Sequence, residues 1–182
     1  MNNLRTGHTV IDAEGLSVSV DLEVLAASLR YFDSQGSFAA AVHDVIGGPL
    51  PQPLRALRAD PATNHAPLTL AWRSPTETLL LCKDRQAFMQ LGQRLAANAD
   101  GCMVDQTGGI RVLRVRGART EDLLTRLGAN NVFPELGEAR TGRLAELPVT
   151  AVRIQADEVM LLVERVYADH LLEWIAVTAG DF

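Results

Sequence analysis

PLTLAWRSPTETLLLCKD, residues 67–84, overlays PVTAVRIQADEVMLLVER, residues 148–165, without a gap, and this overlay decides the fold. Pro67 falls on Pro148, Thr69 on Thr150, Glu77 on Glu158 and Leu80 on Leu161. Each stretch reads as two apolar strands about a short polar turn: Leu68–Trp72 and Glu77–Cys82 in the first, Val149–Gln155 and Val159–Arg165 in the second. Each then runs into an amphipathic helix. In the first helix, from Asp84 to about Asn98, Phe88, Leu91 and Leu95 share a face. In the second, Tyr167–Val177, the shared face holds Ala168, Leu171, Leu172 and Ile175. Any two hairpin-plus-helix units would look alike by pattern, and two related lobes would look alike by descent. Both readings give the same architecture.

Upstream of the first copy, Leu25–Phe32 is an apolar strand candidate and Asp33-Ser34 offers a helix cap. Phe38, Ala41, Val42, Val45 and Ile46 then recur at three- and four-residue steps on one helical face. Gly47-Gly48-Pro49 ends that helix, because glycine lets the backbone reverse and proline cannot continue it. Residues 51–66 read as a loop rich in proline and small residues, and Cys102–Val104 as a short strand. After Gly108-Gly109 the pattern restarts with a strand at Ile110–Arg116. A helix follows from Thr120-Glu121-Asp122, with its acids suitably at the N-terminus and Leu123, Leu124 and Leu127 facing inward. Gly128 and Asn130-Asn131 end it, and Gly142–Leu147 adds a strand before the second hairpin. Only a short strand at Leu16–Val20 suggests itself near the start. The expected fold is therefore α+β, with two ferredoxin-like β-α-β-β-α lobes packed together. Residues 25–105 form the first lobe and 106–182 the second, and residues 1–24 are assigned to neither.

A length of 182 residues suits one domain or two small lobes sharing a core. The net charge of −5 argues against a phosphate-binding surface, so no nucleic-acid partner is expected. Arg111, Arg114, Arg116 and Arg119 cluster, but apolar residues interleave them. They read as a solvated strand face, with a contact for an acidic partner as the other reading. No apolar run approaches the ~20 residues of a membrane span, and the opening MNNLRTGHTVIDAEG lacks the apolar core of a signal peptide. Cys82 and Cys102 then read as buried, reduced thiols of a cytoplasmic protein.

The chemistry-bearing residues form no cluster in the sequence. His8, His43, His65 and His170 show no zinc-ligand spacing. Asp44 and Asp169 stand beside two of them, where helical neighbours diverge. Gly47-Gly48 and Gly108-Gly109 match neither phosphate-cradling pattern, and no GxSxG elbow surrounds any serine. Glu121-Asp122 reads as helix-start electrostatics and Asp157-Glu158 as turn chemistry. Asp105, at a strand end, is a weak ligand candidate that more often closes a turn. No catalytic, cofactor-binding or metal-ligating residue is therefore assigned to this chain.

Several stretches in order carry a family likeness: AWRSPTETLLLC (71–82), VDQTGGIRVLRVRGARTEDLLTRL (104–127), FPELG (133–137), TGRLAELPVTAVRI (141–154) and VERVYADHLLEWI (163–175). Together they resemble the gamma subunit of heterotetrameric sarcosine oxidase, over about residues 25–178. The resemblance implies a fold related to the folate-binding aminomethyltransferase domains. It also implies a non-catalytic subunit of a complex that oxidises sarcosine or a related N-methyl amino acid. FAD, FMN, NAD and tetrahydrofolate would sit on the alpha- and beta-type subunits, with a delta subunit also present, and this chain would carry none of them. Tyr167, Leu171 and Trp174 on the last helix are then the expected contacts with a partner. The polar N-terminal segment and the 51–66 loop depart from the family pattern. A stand-alone folate-dependent C1-transfer protein, with Asp105 holding the amine or pterin, and a ligand-binding regulatory module are the competing readings.

Overall fold

A computed structural model describes residues 9–59, 67–128 and 132–182. The elements run β1 (Thr9–Ala13), β2 (Leu16–Asp21), β3 (Leu25–Tyr31), α1 (Ser37–Ile46), β4 (Ala56–Ala59), β5 (Leu68–Ser74), β6 (Glu77–Cys82) and α2 (Arg85–Leu95). They continue β7 (Gly101–Asp105), β8 (Ile110–Arg116), α3 (Thr120–Arg126), β9 (Glu138–Leu144), β10 (Leu147–Gln155), β11 (Glu158–Glu164) and α4 (Arg165–Ala179). The fold is mixed α and β, with two antiparallel sheets, and the chain divides into two compact units. One is Val24–Thr107, and the other joins Gly108–Phe182 to the residues before Val24. No described helix is long and apolar enough to cross a membrane.

The Val24–Thr107 unit has strand order β4-β5-β6-β3-β7, antiparallel at every pairing. Without β4 this is the ferredoxin-like order. Phe38, Val42 and Ile46 of α1 and Phe88, Leu91 and Leu95 of α2 cover one face, packed on Leu29, Leu70 and Leu80. The α2 boundary follows from its cap. Asp84 Oδ1 accepts from the backbone N–H of Gln86 at 2.8 Å and of Ala87 at 3.1 Å, satisfying two donors that the first turn leaves free. α1 starts later than Asp33-Ser34 suggests. Asp33 instead accepts from Gln35 N in the preceding turn, and Gly36 occupies the cap position. Gly47 ends α1 with φ +74°, the left-handed turn that glycine accepts without a Cβ penalty. The 51–66 segment, expected to be a loop, contributes β4, which pairs Ala56 with Ala71 and Ala59 with Leu68. Residues 60–66 lie outside the described residues.

The second unit has order β1-β2-β8-β11-β10-β9. Its run β8-α3-β9-β10-β11-α4 repeats β3-α1-β4-β5-β6-α2, so the two overlaid stretches are corresponding hairpins with corresponding helices. Beside β8, where the first unit places β7 next to β3, stands β2 from the N-terminal segment. β1 then pairs with β2, giving that segment a hairpin where one short strand was expected. Leu123, Leu124, Leu171, Leu172 and Ile175 pack on Val18, Leu113, Val115 and Leu161 to form this core. β9 begins at Glu138, four residues before the expected Gly142, and turns into β10 through Ala145 and Glu146, both with positive φ. Asn130-Asn131, expected to help end α3, lie outside the described residues.

The outer face of the last helix and the arginine strand

Helical geometry sorts the residues of α4 into two faces. Ala168, Leu171, Leu172, Ile175 and Ala179 turn inward and are buried. The outer side carries Val166, Tyr167, Trp174 and Val177, exposed by 78%, 38%, 48% and 66%. Leu171, expected at a contact surface with Tyr167 and Trp174, is 0% exposed. It stands three residues after Ala168 and four before Ile175, and that spacing turns it to the core with them. Tyr167 and Trp174 remain as contact candidates. The indole of Trp174 is held in place, since its Nε1 donates to His170 Nε2 at 3.2 Å and the two rings meet edge-on at 6.5 Å. A contiguous apolar helical face rimmed by polar groups is the usual form of a protein contact surface.

Two of the β8 arginines, expected on a solvated face, are held by carboxylates, although Arg116 is still half-exposed. Arg114 Nε donates to Asp21 Oδ2 at 2.7 Å, and its other end binds Glu158. Arg116 Nε donates to Glu158 Oε2 at 2.6 Å. Glu158 is only 4% exposed, so it is a buried anchor for two guanidiniums and not a turn residue. The sheet order explains this, because β8 lies between β2 and β11 and its side chains meet partners from both. Arg119 stacks over the Phe182 ring at 5.1 Å, with Arg126 at 4.7 Å. Arg111, in step with Leu113 and Val115, lines a small cavity against α4.

Other candidates are spent locally. Asp105 Oδ1 accepts from Thr107 N at 2.8 Å and closes a turn. Cys82 is buried, donates to Asp84 O, and burial pushes its thiol above the ordinary value. Cys102, expected to be buried, is exposed because β7 is an edge strand. It lines an open groove of about 610 Å³ with Arg30, Phe32 and Glu77. His43 and Asp44 are 3.8 Å apart and exposed, while His8 and His65 lie outside the described residues. Among the described residues, no three His, Cys, Asp or Glu are grouped to hold a metal ion. The part-buried bond from Ser28 Oγ to Glu77 Oε1, 2.6 Å, had no local signature, since the two residues are 49 apart in sequence.

Residues 30–181 match the family described as "Sarcosine oxidase, gamma subunit family". Among solved structures, the heterotetrameric sarcosine oxidase from Corynebacterium sp. U-96, in complex with pyrrole 2-carboxylate, superposes with a TM-score of 0.80 at 19% identity. That match covers 96% of this chain and 88% of the other. The glycine cleavage system aminomethyltransferase T from Bartonella henselae superposes with a TM-score of 0.73 at 12% identity. It covers 88% of this chain, which spans 45% of that longer protein. No curated protein matches the chain in sequence.

Proposed function

The chain belongs to the sarcosine oxidase gamma subunit family, and from that membership we propose that it is a non-catalytic subunit that buttresses a sarcosine-oxidase-type flavoenzyme. The observation that carries the reading is the family match over residues 30–181. The exposed apolar face of α4 supports it, because a surface carrying Tyr167 and Trp174 is what a partner subunit would cover. In this reading the partners are alpha- and beta-type subunits, with delta, and they carry the FAD, FMN, NAD and tetrahydrofolate of the oxidative demethylation. The substrate of the complex is sarcosine or a related N-methyl amino acid.

The stand-alone C1-transfer reading loses its candidate residue, since Asp105 already holds the turn to Thr107. Co-expression of the chain with the alpha-, beta- and delta-type subunits tests the proposal. The expected result is a complex that co-purifies through a tag on this chain and turns over sarcosine. Failure to co-purify, or binding of FAD or FMN by the isolated chain, refutes it.

A further inference from the structure

We propose that the open edge of β7 takes an added antiparallel strand, an extended segment of a partner subunit with an apolar residue opposite Met103; this rests on the partner reading above. The parity of the ladder tells which groups are free. Gln106 N donates to Ala26 O at 2.8 Å, and Phe32 N donates to Asp100 O at 3.4 Å. The register of β3 with β7 then makes Ser28–Val104 and Arg30–Cys102 the hydrogen-bonded pairs. Gly101, Met103 and Asp105 alternate with them, so their N–H and C=O groups point away from β3. Among the described residues none of those groups has a partner, and no residue of β7 is buried.

The second unit displays the occupant that such a post takes. β2 stands to β8 as β7 stands to β3, and β1 pairs antiparallel with the outer edge of β2. Arg30 faces Glu77 as Arg116 faces Glu158, which aligns Cys102 with Ser17 and Met103 with Val18. β1 sets Ile11 opposite Val18, where it packs on the core and Val18 is 0% exposed. Met103 has no strand opposite and is only half-buried. The other edge strands are guarded: β4 contains Arg58, β9 contains Arg140 and Arg143, and β1 is bulged between Thr9 and Ile11. β7 has a single charge, Asp105, at its end. Gly101 and Cys102 also open on the groove of about 610 Å³ that holds Phe32, which is 87% exposed. Free main-chain groups with a side-chain groove beside them are the two parts of recognition by strand addition. A second copy pairing β7 to β7 about Met103 would set its Asp105 against Gly101. Its chain turns there through Thr107, so the ladder would stop short of the groove, whereas an independent segment can run on into it.

The test uses the full chain, alone and co-expressed with its partner subunits, and reads amide exchange residue by residue with fragmentation mass spectrometry. In the isolated chain the Gly101, Met103 and Asp105 amides should exchange fast, while those of Cys102 and Val104 are protected. In the complex the three fast amides should slow by roughly 100-fold or more. Met103→Lys sets a charge against the incoming apolar residue and should lower partner affinity roughly 10- to 100-fold. Met103→Pro removes only an outward N–H and should do the same; should it fail to fold, the lysine variant decides alone. A complex that assembles with those three amides still fast, or that binds Met103→Lys as tightly as wild type, overturns the proposal and leaves the partner reading standing. If wild type does not assemble, both fall. Protection of the three amides in the isolated chain that grows with concentration, together with a dimer in sedimentation, would assign the edge to a second copy and also overturn the proposal.

Discussion

Glu77 and Glu158 occupy the same post in two different hairpins: each opens the second strand, and each is held by the neighbouring strand across the sheet. Register pairs Glu77 with Arg30 and Glu158 with Arg116. Two residues back along those neighbouring strands stand Ser28 and Arg114, which also bind the respective carboxylates. The position repeats and the chemistry differs. Glu77 has a hydroxyl at 2.6 Å, Arg73 at 3.2 Å and Arg30 at 3.9 Å, whereas Glu158, with no hydroxyl partner among the described residues, is gripped closely by Arg114 and Arg116.

That difference predicts unequal costs. Glu158→Ala removes a buried carboxylate from Arg114, which keeps Asp21, and from the half-exposed Arg116, and should cost about 2 kcal/mol in urea unfolding. Glu77→Ala breaks ion pairs with Arg30 and Arg73 at a carboxylate more exposed than Glu158, together with the Ser28 bond, and should cost about 1 kcal/mol. Equal losses, or a larger loss at Glu77, would refute the ranking.

On α4, stability and association should separate. Leu171→Ala opens a cavity in a closed core and is expected to cost about 3 kcal/mol of folding stability. Trp174→Ala should shift stability by less than about 0.5 kcal/mol and weaken partner binding about 30-fold. Thermal melts of the isolated chain and titration with the partner subunits read the two effects.

Gly117 predicts a strained substitution. Its φ is +114°, and a Cβ placed there would lie 2.2 Å from the carbonyl oxygen of Gly15, which accepts from Arg119 N at 3.1 Å. Gly117→Ala must therefore displace backbone, and should lower stability by roughly 2 kcal/mol or more. Retention of the wild-type melting temperature would contradict this packing.

The two thiols should differ in reactivity and in pH response. A thiol reagent applied to the native chain should label Cys102 and spare Cys82 until denaturant is added, as mass spectrometry can show. Burial raises the Cys82 pKa in the folded state, so the folded chain keeps a proton that the unfolded chain releases. The stability this provides is complete below the ordinary thiol range of about 8–9 and is lost as pH rises through the folded value. Cys82→Ala should remove that part of the alkaline decline, measured as the difference between the two proteins' pH profiles.

Periodicity was enough to read β8, the start of α2 near Asp84, both hairpins and the inward faces of α2 and α4, because each is decided by residues a few positions apart. What escaped was decided at long range. β4 is a four-residue edge strand that contains Arg58 and follows Arg55, and it acquires its pairing only from β5. β1 and β2 acquire theirs from each other and from β8. Arg114 looked solvated because its anions, Asp21 and Glu158, lie 93 and 44 residues away. On the last helix, the sorting of buried Leu171 from exposed Tyr167 and Trp174 required knowing which side of the helix meets the sheet.

The placement of β2 beside β8 carries a consequence for synthesis. β1 and β2 are built into a sheet whose other members are made later, with a complete compact unit, Val24–Thr107, translated in between. That intervening unit has all its strands in hand early, while the opening hairpin must stay unmated until β8 is made. Synthesis thus leaves the β8-facing edge of β2 without its partner for the time it takes to translate some ninety residues, several seconds or more at about 5–20 residues per second. Over that interval the open edge of β2 is a natural point of engagement for a chaperone.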